Sequence, residues 1–600
     1  MSKEPKEQRE WTSLSGRLTE RKISRRSILR AASFAGVGAA GLALVGCGGD
    51  DDDDDAEQPA AAEQPAAAEQ PAAAEEPAAA EQPAAAEEPA AAEEPAAGEP
   101  RRGGTFTEGY DRDFNKMDPV LSPWADPAYV ALYEFTQVRA PNGDIVPALA
   151  ESWTVADDKL SWTLKIRENI TFHSGAPMTA ENVVEDFNIF RNPDTGQNAI
   201  FWPSVENVRL GDEPNTVVVE LNTPFAALPE TLATEFSMIH NERVREEAGE
   251  AFGATVADGT GPFTLKNFAP GNEVVLDRWD GYHGTNIPFL ENTGTAYLDA
   301  VRWVPILEPS QRAAEMETGN VDAIKNPAGQ DVARLKGNDD LVVVEFTELS
   351  NFIINLNQQD TALGFDDVRV RQAISHAIDR EAIVNAIYFG AAVATRGPVA
   401  PGYKWYDTGV ENFNQFDPDR TAELLQQAGF ARSGGGWERD GQRLEFTVIN
   451  ENDVLQMQIM EAVVGMLADV DIPLQVRNLD SVVFFDEVFA DPGPDAWTFK
   501  WLWSSVIDLI VFFEAFPTAE FNQHGVNADL QRAIEDWQGA GTDAELEDAA
   551  RRVQLSFADF LPWLAIVTPN SVWVSDKKVR GWRPSQTMLY PFYNDVWLEA

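Results

Sequence analysis

"GDIVPALAESWTVADDKLSWTLKIRENITFHSGAPMTAENVVEDF", residues 143–187, holds the clearest periodic signal in a chain of 600 residues. Within it "LSWTLKI" (160–166) alternates strictly, with Leu160, Trp162, Leu164 and Ile166 on one face and Ser161, Thr163 and Lys165 on the other. A period of two residues marks a half-buried strand. "TVVVEL" (216–221) and "EVVLDRW" (273–279) are further strands, bounded by Asn/Pro and Pro/Gly turns. Helical spacing takes over in "DVRVRQAISHAIDREAIVNAIY" (367–388). There Val370, Ile374 and Ile378 share a face behind Asp367 as cap, and Asp379 caps a second helix carrying Ile383 and Ile387. "FDPDRTAELLQQAGF" (416–430) has Asp417 as N-cap, Pro418 in the first turn and Gly429 as the stop. Strands and helices intermix without βαβ regularity, which predicts a mixed α/β fold in more than one lobe.

Composition narrows the function. At 44% hydrophobic the chain can bury a large core, in more than one domain. Its formal charge of -52 is unevenly spread: residues 1–46 hold nine Lys/Arg against four Glu, whereas residues 101–600 hold 37 Lys/Arg against 77 Asp/Glu. So acidic a body argues against nucleic acid or an anionic lipid surface as partner, since either would be repelled. A single cysteine, Cys47, rules out an internal disulfide.

"RRSILRAASFAGVGAAGLALVGC" (25–47) offers three readings. Gly36-x-Gly38-x-x-Gly41 has the spacing of a dinucleotide fingerprint, but it follows no strand and precedes a run of aspartates that would repel a pyrophosphate. Ala31–Gly46 is shorter than the roughly 20 residues a bilayer core needs. An export signal remains: basic start, short apolar run, small residues before the cut. Ser24-Arg25-Arg26-Ser27-Ile28-Leu29-Arg30 resembles a twin-arginine motif, with Arg25 and Arg26 as its pair. Leu44-Val45-Gly46-Cys47 resembles a bacterial lipobox, which implies that Cys47 is lipidated and becomes the mature N-terminus. Two acyl chains anchor a protein stably where one does not. Residues 1–46 are thus expected to be a signal peptide. Residues 47–100 are expected to be a lipidated, disordered tether, because "EQPAAA" and its EEP variants recur about seven times with no apolar face and with proline interrupting any helix.

From about Gly103 onward the chain resembles the extracellular solute-binding protein family 5, the dipeptide- and oligopeptide-binding proteins of bacterial ABC importers. The residues that carry the likeness are "GGTFTEGYDRDFNKMDP" (103–119), the block 143–187, "GTGPFTLKNFAPGNEVVL" (259–276), "RAAEMETGNVDAI" (312–324), "FDDVRVRQAISHAIDREAIVNAIYFGAA" (365–392) and "VSDKKVRGW" (574–582), in that order. The resemblance implies a two-lobed periplasmic-binding-protein-like α/β fold of the large peptide-binding type. One lobe would comprise 101–347 and 568–600, the other 348–567, with a hinge between them and a cleft that closes on ligand. It implies a monomer that needs no cofactor or metal and works with permease subunits and a separate ATPase, and the chain contains no G-x-x-x-x-G-K-[ST] phosphate loop.

Catalysis finds little support in the residues. His173, His240, His283, His376 and His524 are scattered, and the chain has no H-E-x-x-H, C-x-x-C or G-x-S-x-G. A secreted hydrolase is the alternative class, and a metal-chelate binder a weaker one. By resemblance, Trp124, Gly261, Pro262, Asn351, Phe352 and Trp405 fall in segments that line the cleft. "WTFKWLWSSVIDLIVFF" (497–513) lies where peptide-binding members carry an aspartate that grips the ligand's α-ammonium. Here Ser504 takes the aspartate's place, and Asp508 falls one residue late for a second acid. A neutral hydroxyl holds an ammonium far less well. Trp497, Phe499, Trp501 and Trp503 alternate, so a strand would put them on one face, with Trp497 and Phe499 in the core and Trp501 and Trp503 near the cleft. Aromatics with few fixed charges suit peptides held by backbone and side chains, or oligosaccharides and other non-peptide solutes.

Overall fold

A 14-residue strand, Trp563–Asp576, is the spine of the molecule. Only Asn570 and Asp576 within it are less than fully buried, the pattern of a strand covered on both faces. The computed structural model describes residues 98–121, 126–192, 204–234, 237–488, 493–502, 527–540, 542–585 and 591–599, with a few single positions between them. Among the described residues twelve strands form one mixed sheet, ten of them in the order Phe263–Ala269, Glu273–Arg278, Ala300–Pro305, Thr105–Tyr110, Ala323–Lys325, Trp563–Asp576, Ser350–Leu356, Ala496–Leu502, Phe446–Glu451, Leu474–Leu479. Leu341–Thr347 and Ala392–Ala394 also pair with the spine.

The spine changes partners midway. Its C-terminal half pairs antiparallel with Leu341–Thr347, from Leu341 opposite Asp576 to Thr347 opposite Asn570. Its N-terminal half pairs with Ser350–Leu356, where Phe352 lies opposite Val567 and Asn355 opposite Trp563. Only Glu348 and Leu349 separate the two partner strands. The chain therefore crosses between two halves of the sheet at 348–349 and again near 569–570.

The periodic block behaves as its alternation requires. Ser161–Ile166 is a strand in a four-stranded antiparallel sheet with Ala150–Val155, Thr216–Leu221 and Val205–Leu210. Leu164 and Ile166 are buried, Trp162 is half-buried, and Leu160 at the strand's edge is open. Helix Ala180–Phe190 covers this sheet with Val183, Phe187 and Phe190.

In the second half the caps form as the spacing predicts. Asp367 accepts from Arg369 N (3.0 Å), Asp379 from Ala382 N (2.9 Å) and Asp417 from Arg420 N (2.9 Å). They start helices Val368–His376, Arg380–Ile387 and Pro418–Gln427, and Val370, Ile374, Ile378 and Ile383 enter one core. Gly429 ends the third helix region at φ +90°, a conformation that favours glycine.

Candidate functional site: a charged crevice at the crossover

Parallel pairing aims the strand ends of both halves at the crossover. Thr105–Tyr110 runs parallel to Ala300–Pro305 and Ala323–Lys325, so that Tyr110 and Lys325 end the first set. Phe446–Glu451 runs parallel to Leu474–Leu479 and Ala496–Leu502, and the last of these ends beside the start of Ser350–Leu356, with Ser350 opposite Leu502. The carboxyl ends of both parallel sets thus converge on Glu348–Leu349. In open α/β sheets ligands bind in the crevice outside those ends, at the point where strand order switches.

Charged side chains gather there. Lys500 Nζ donates to Glu348 Oε2 at 2.9 Å, and Ser350 Oγ donates to the same oxygen at 2.8 Å. Although protein surrounds it, 39% of the Lys500 side chain still meets solvent, as a group lining a crevice does. Burial alone would lower the Lys500 ammonium, but the Glu348 carboxylate more than offsets it and holds the pKa above the ordinary lysine value. Burial likewise pushes Glu348 up, and Lys500 and Lys325 together overcome it.

On the facing half, Asn326 Nδ2 donates to Asp111 Oδ2 (3.2 Å), while Asn326 Oδ1 accepts from Val572 N (3.0 Å). Asn326 adopts φ +49°, which asparagine tolerates better than most residues, and so turns the chain directly after Lys325. Burial raises Asp111, but Lys325, Arg112 and Arg312 outweigh it and keep the carboxyl below the usual range. Arg112 Nε in turn bonds Asp126 Oδ1 at 3.0 Å.

The residues singled out by sequence are dispersed. Asn351 is buried, with Nδ2 bonded to Pro398 O (3.0 Å) and Oδ1 receiving the Thr568 hydroxyl (2.5 Å), so it ties the crossover together. Phe352 is buried in the core of the second half. Gly261 packs against helix Pro127–Leu132: a Cβ there would lie 2.5 Å from Ala131 O and 2.7 Å from Leu132 C. Pro262 lines a small internal cavity with Tyr133, Glu134 and Tyr282. Gly261→Ala should therefore destabilise the first half by about 1–3 kcal/mol through overpacking, read as a lowered urea midpoint at unchanged slope.

Trp405 is half-buried at the seam between the halves, its ring 5.8 Å from Tyr403 and edge-on. Beside it Tyr403 Oη donates to Glu230 Oε2 (2.9 Å), which also accepts from Arg139 (3.3 Å). Trp501 lies opposite Asn351 in the strand register, and Lys500 lies opposite Phe352. Trp497 enters the core as expected and the half-buried Phe499 packs against that core, their rings 6.4 Å apart. Trp124, Trp503, Ser504 and Asp508 lie outside the described residues, as do Arg25, Arg26 and Cys47.

Sequence reasoning missed Asp111, Lys325 and Glu348, and used Lys500 only to place the turn. The available signal was position: Asp111 stands directly after a buried strand in "GYDRD", Lys325 is the last residue of a strand in "DAIKN", and Glu348 falls between two strands. His173 has no free nitrogen for proton transfer, because Nδ1 accepts from Gly259 N (3.2 Å) and Nε2 therefore donates to Gly261 O (3.0 Å).

Comparison with known proteins agrees with this geometry. The family described as bacterial extracellular solute-binding proteins, family 5 Middle, matches residues 144–522. The glutathione-binding protein GsiB of Pectobacterium atrosepticum is 23% identical over 516 residues, 82% of this chain and 92% of that protein. The dipeptide-binding protein of Escherichia coli is 25% identical over 54% of this chain and 63% of its own length. The oligopeptide-binding protein AppA of Bacillus subtilis, solved with a nonapeptide, superposes with TM-score 0.67 at 20% identity over 84% of this chain and all of its own. NikA of Brucella suis, solved with Fe(III)-EDTA, superposes with TM-score 0.69 at 18% identity over 83% of this chain and 100% of its own. The fold is that of a two-lobed periplasmic-type binding protein. The chain belongs to family 5 of the bacterial extracellular solute-binding proteins.

Proposed function

We propose that this chain is the ligand-capturing component of a bacterial ABC importer, tethered outside the cell membrane by a lipid on Cys47 and specialised for peptides. The observation that carries this reading is the convergence of both sets of strand ends on one crossover, in a chain whose middle is family 5 almost throughout. The lobes are 101–347 with 568–600, and 348–567, and they pivot about Glu348–Leu349 and Thr568–Asn570. A ligand touching both lobes binds the closed form better and shifts the population toward it, and the permease reads that closure. In this reading Trp405 supplies stacking surface, and Trp124, Trp501, Trp503, Ser504 and Asp508 are the further ligand contacts that the family resemblance implies. The protein binds rather than turns over its ligand.

Native mass spectrometry of the protein as purified, followed by calorimetric titration with the released compound, tests this. Unchanged peptide recovered on denaturation supports capture, whereas cleaved product or a purely non-peptide ligand rejects the peptide assignment. Export has its own test. Cys47→Ser should leave soluble protein or unprocessed precursor, and Arg25→Lys with Arg26→Lys should keep folded protein in the cytoplasm. Membrane fractionation showing parental processing and retention of the Cys47→Ser variant would overturn the lipid anchor.

A further inference from the structure

The two lobes meet a second time, at residues outside the crossover. Tyr403 Oη, in the second lobe, donates to Glu230 Oε2 of the first at 2.9 Å, and the Arg139 guanidinium lies 6.0 Å from the centroid of the Tyr403 ring. Next in the chain, Lys404 Nζ pairs with Asp144 Oδ1 at 2.5 Å. The stem of Lys404 lies against Gly143, where an added Cβ would come within 3.2 Å of Lys404 Cβ. At a third point Lys159 Nζ donates to Gly539 O (2.6 Å) and Ala226 N to Gln538 O (3.3 Å). None of these contacts uses a charged side chain of the crevice.

The contacts differ in weight. Lys404 and Asp144 have 32% and 49% of their side chains in water, so that pair adds little. Tyr403 and Glu230 are buried, and Phe225 and Leu228 of the first lobe fall with Tyr403 and Trp537 of the second in one continuous apolar cluster. Prising the lobes apart would wet part of that cluster and break a bond to a carboxylate. These are the costly losses. We infer that Tyr403 and Glu230 fasten the lobes to each other without ligand, so that the empty protein already rests closed over its crevice. This rests on the two-lobe pivot of the reading above and adds the resting position of that pivot. Tyr403 and Glu230 are positioning residues, which act through the closed population rather than by holding the ligand. A protein whose binding-competent state is mostly populated loses little apparent affinity to the cost of closing. Entry then waits on the minor open state, so the same fastening slows association as well as release.

Amide hydrogen exchange on the full-length protein, stripped of retained ligand by unfolding and refolding, tests this. The Ala226 N–H reports on the seam because its acceptor, Gln538 O, belongs to the other lobe. In the stripped parent that amide should exchange at least roughly ten-fold more slowly than an unprotected one. Tyr403→Phe removes only the hydroxyl and leaves Glu230 bonded to Arg139. It should speed exchange at Ala226 by up to roughly ten-fold, as expected for the loss of a hydrogen bond to a carboxylate. Lys159→Met, which cuts the third point of contact, should speed it by a smaller factor. Amides of strand Thr216–Leu221, whose partner strands lie within the first lobe, should keep their parental rates in both variants. That separates opening of the seam from unfolding. Exchange of Ala226 at the unprotected rate in the stripped parent, or a rate that Tyr403→Phe leaves unchanged, overturns the fastening. Both results are read with no ligand present. A non-peptide ligand in the mass spectrum would therefore reject the peptide assignment above and leave this inference standing.

Discussion

Arg380→Met should lower the unfolding free energy by about 3–5 kcal/mol, the range seen when one partner of a buried charged contact is removed. Arg380 is 1% exposed, and among the described residues no carboxylate pairs with it directly. Its guanidinium donates instead to carbonyls: Nε to Ala565 O (2.8 Å) and Thr395 O (3.2 Å), and Nη1 to Ser375 O (3.0 Å), while Nη2 bonds Ser375 Oγ (2.8 Å). These acceptors belong to helix Val368–His376, to the residue that follows strand Ala392–Ala394 and to the spine, so one side chain at the start of helix Arg380–Ile387 fastens four segments. Burial pulls the guanidinium down to about 9, and it remains charged at neutral pH. Methionine removes a cation that is expensive to bury, which is favourable. It also leaves several carbonyls without donors where water has no access, at about 1–3 kcal/mol each. The second effect wins because the acceptors outnumber the charge.

Arg371 has the same design, donating to Leu561 O (2.9 Å), Phe365 O (2.7 Å) and Phe560 O (2.6 Å), and Arg371→Met should behave alike. Arg369→Met is the control. That side chain is 45% exposed and pairs with Asp367, so its loss should change stability by about 1 kcal/mol at most. Urea midpoints at constant slope read all three. If Arg380→Met loses no more than Arg369→Met, the carbonyls have found other donors and the fastening role is wrong.

These arginines also show where sequence reading stops. In "DVRVRQAISHAIDREAIVNAIY" the apolar spacing and the capping aspartates are local properties, fixed by helix geometry within a few residues, and the structure agrees with them. The arginines look like the polar face of the same helices. They are buried because their acceptors lie 190 and 185 residues further along, at Leu561 and Ala565. No local period records that.

The crevice is hidden for the same reason. Lys325 and Lys500 are 175 positions apart in the numbering, and only the pairing of Lys325 opposite Trp573 and Lys500 opposite Phe352 brings their strand ends to one crossover. Gly261 is the reverse case. Its motif was legible, but the helix carbonyl that forbids a side chain there was not. Alternation in "WTFKWLW" correctly separates a core face, since Trp497 is 2% exposed, but alternation carries no information on what the strand's last residues face.

Glu108→Gln should leave stability nearly unchanged near pH 4.5 and raise it by about 3 kcal/mol above pH 7. Glu108 sits in Thr105–Tyr110, in the middle of the first half, at 0% exposure. Its Oε2 accepts from Trp303 Nε1 and Tyr593 Oη, both at 3.1 Å, while Oε1 is buried with no hydrogen-bond partner among the described residues. Burial pushes the carboxyl from its ordinary 4.5 up to about 7, against the pull of the Tyr593 bond and of Lys325. Below pH 4.5 the group is protonated in folded and unfolded chains alike, and its full contribution is present. Between 4.5 and 7 the folded chain keeps a proton that the unfolded chain has released, so rising pH erodes stability at up to about 1.4 kcal/mol per unit. Glutamine has the shape of the protonated acid and cannot ionise, so it removes this slope. Asp186, which burial raises from 3.8 to about 7 beside His240, adds a loss of the same sign that Glu108→Gln leaves in place. The parent should therefore lose stability across this window more steeply than the variant, and Asp186→Asn with Glu108→Gln should be flatter still. Urea unfolding between pH 4 and 9 resolves the three curves. A Glu108→Gln curve parallel to the parent's would mean that Glu108 is ionised throughout, held so by the pull of Lys325, and would overturn this prediction.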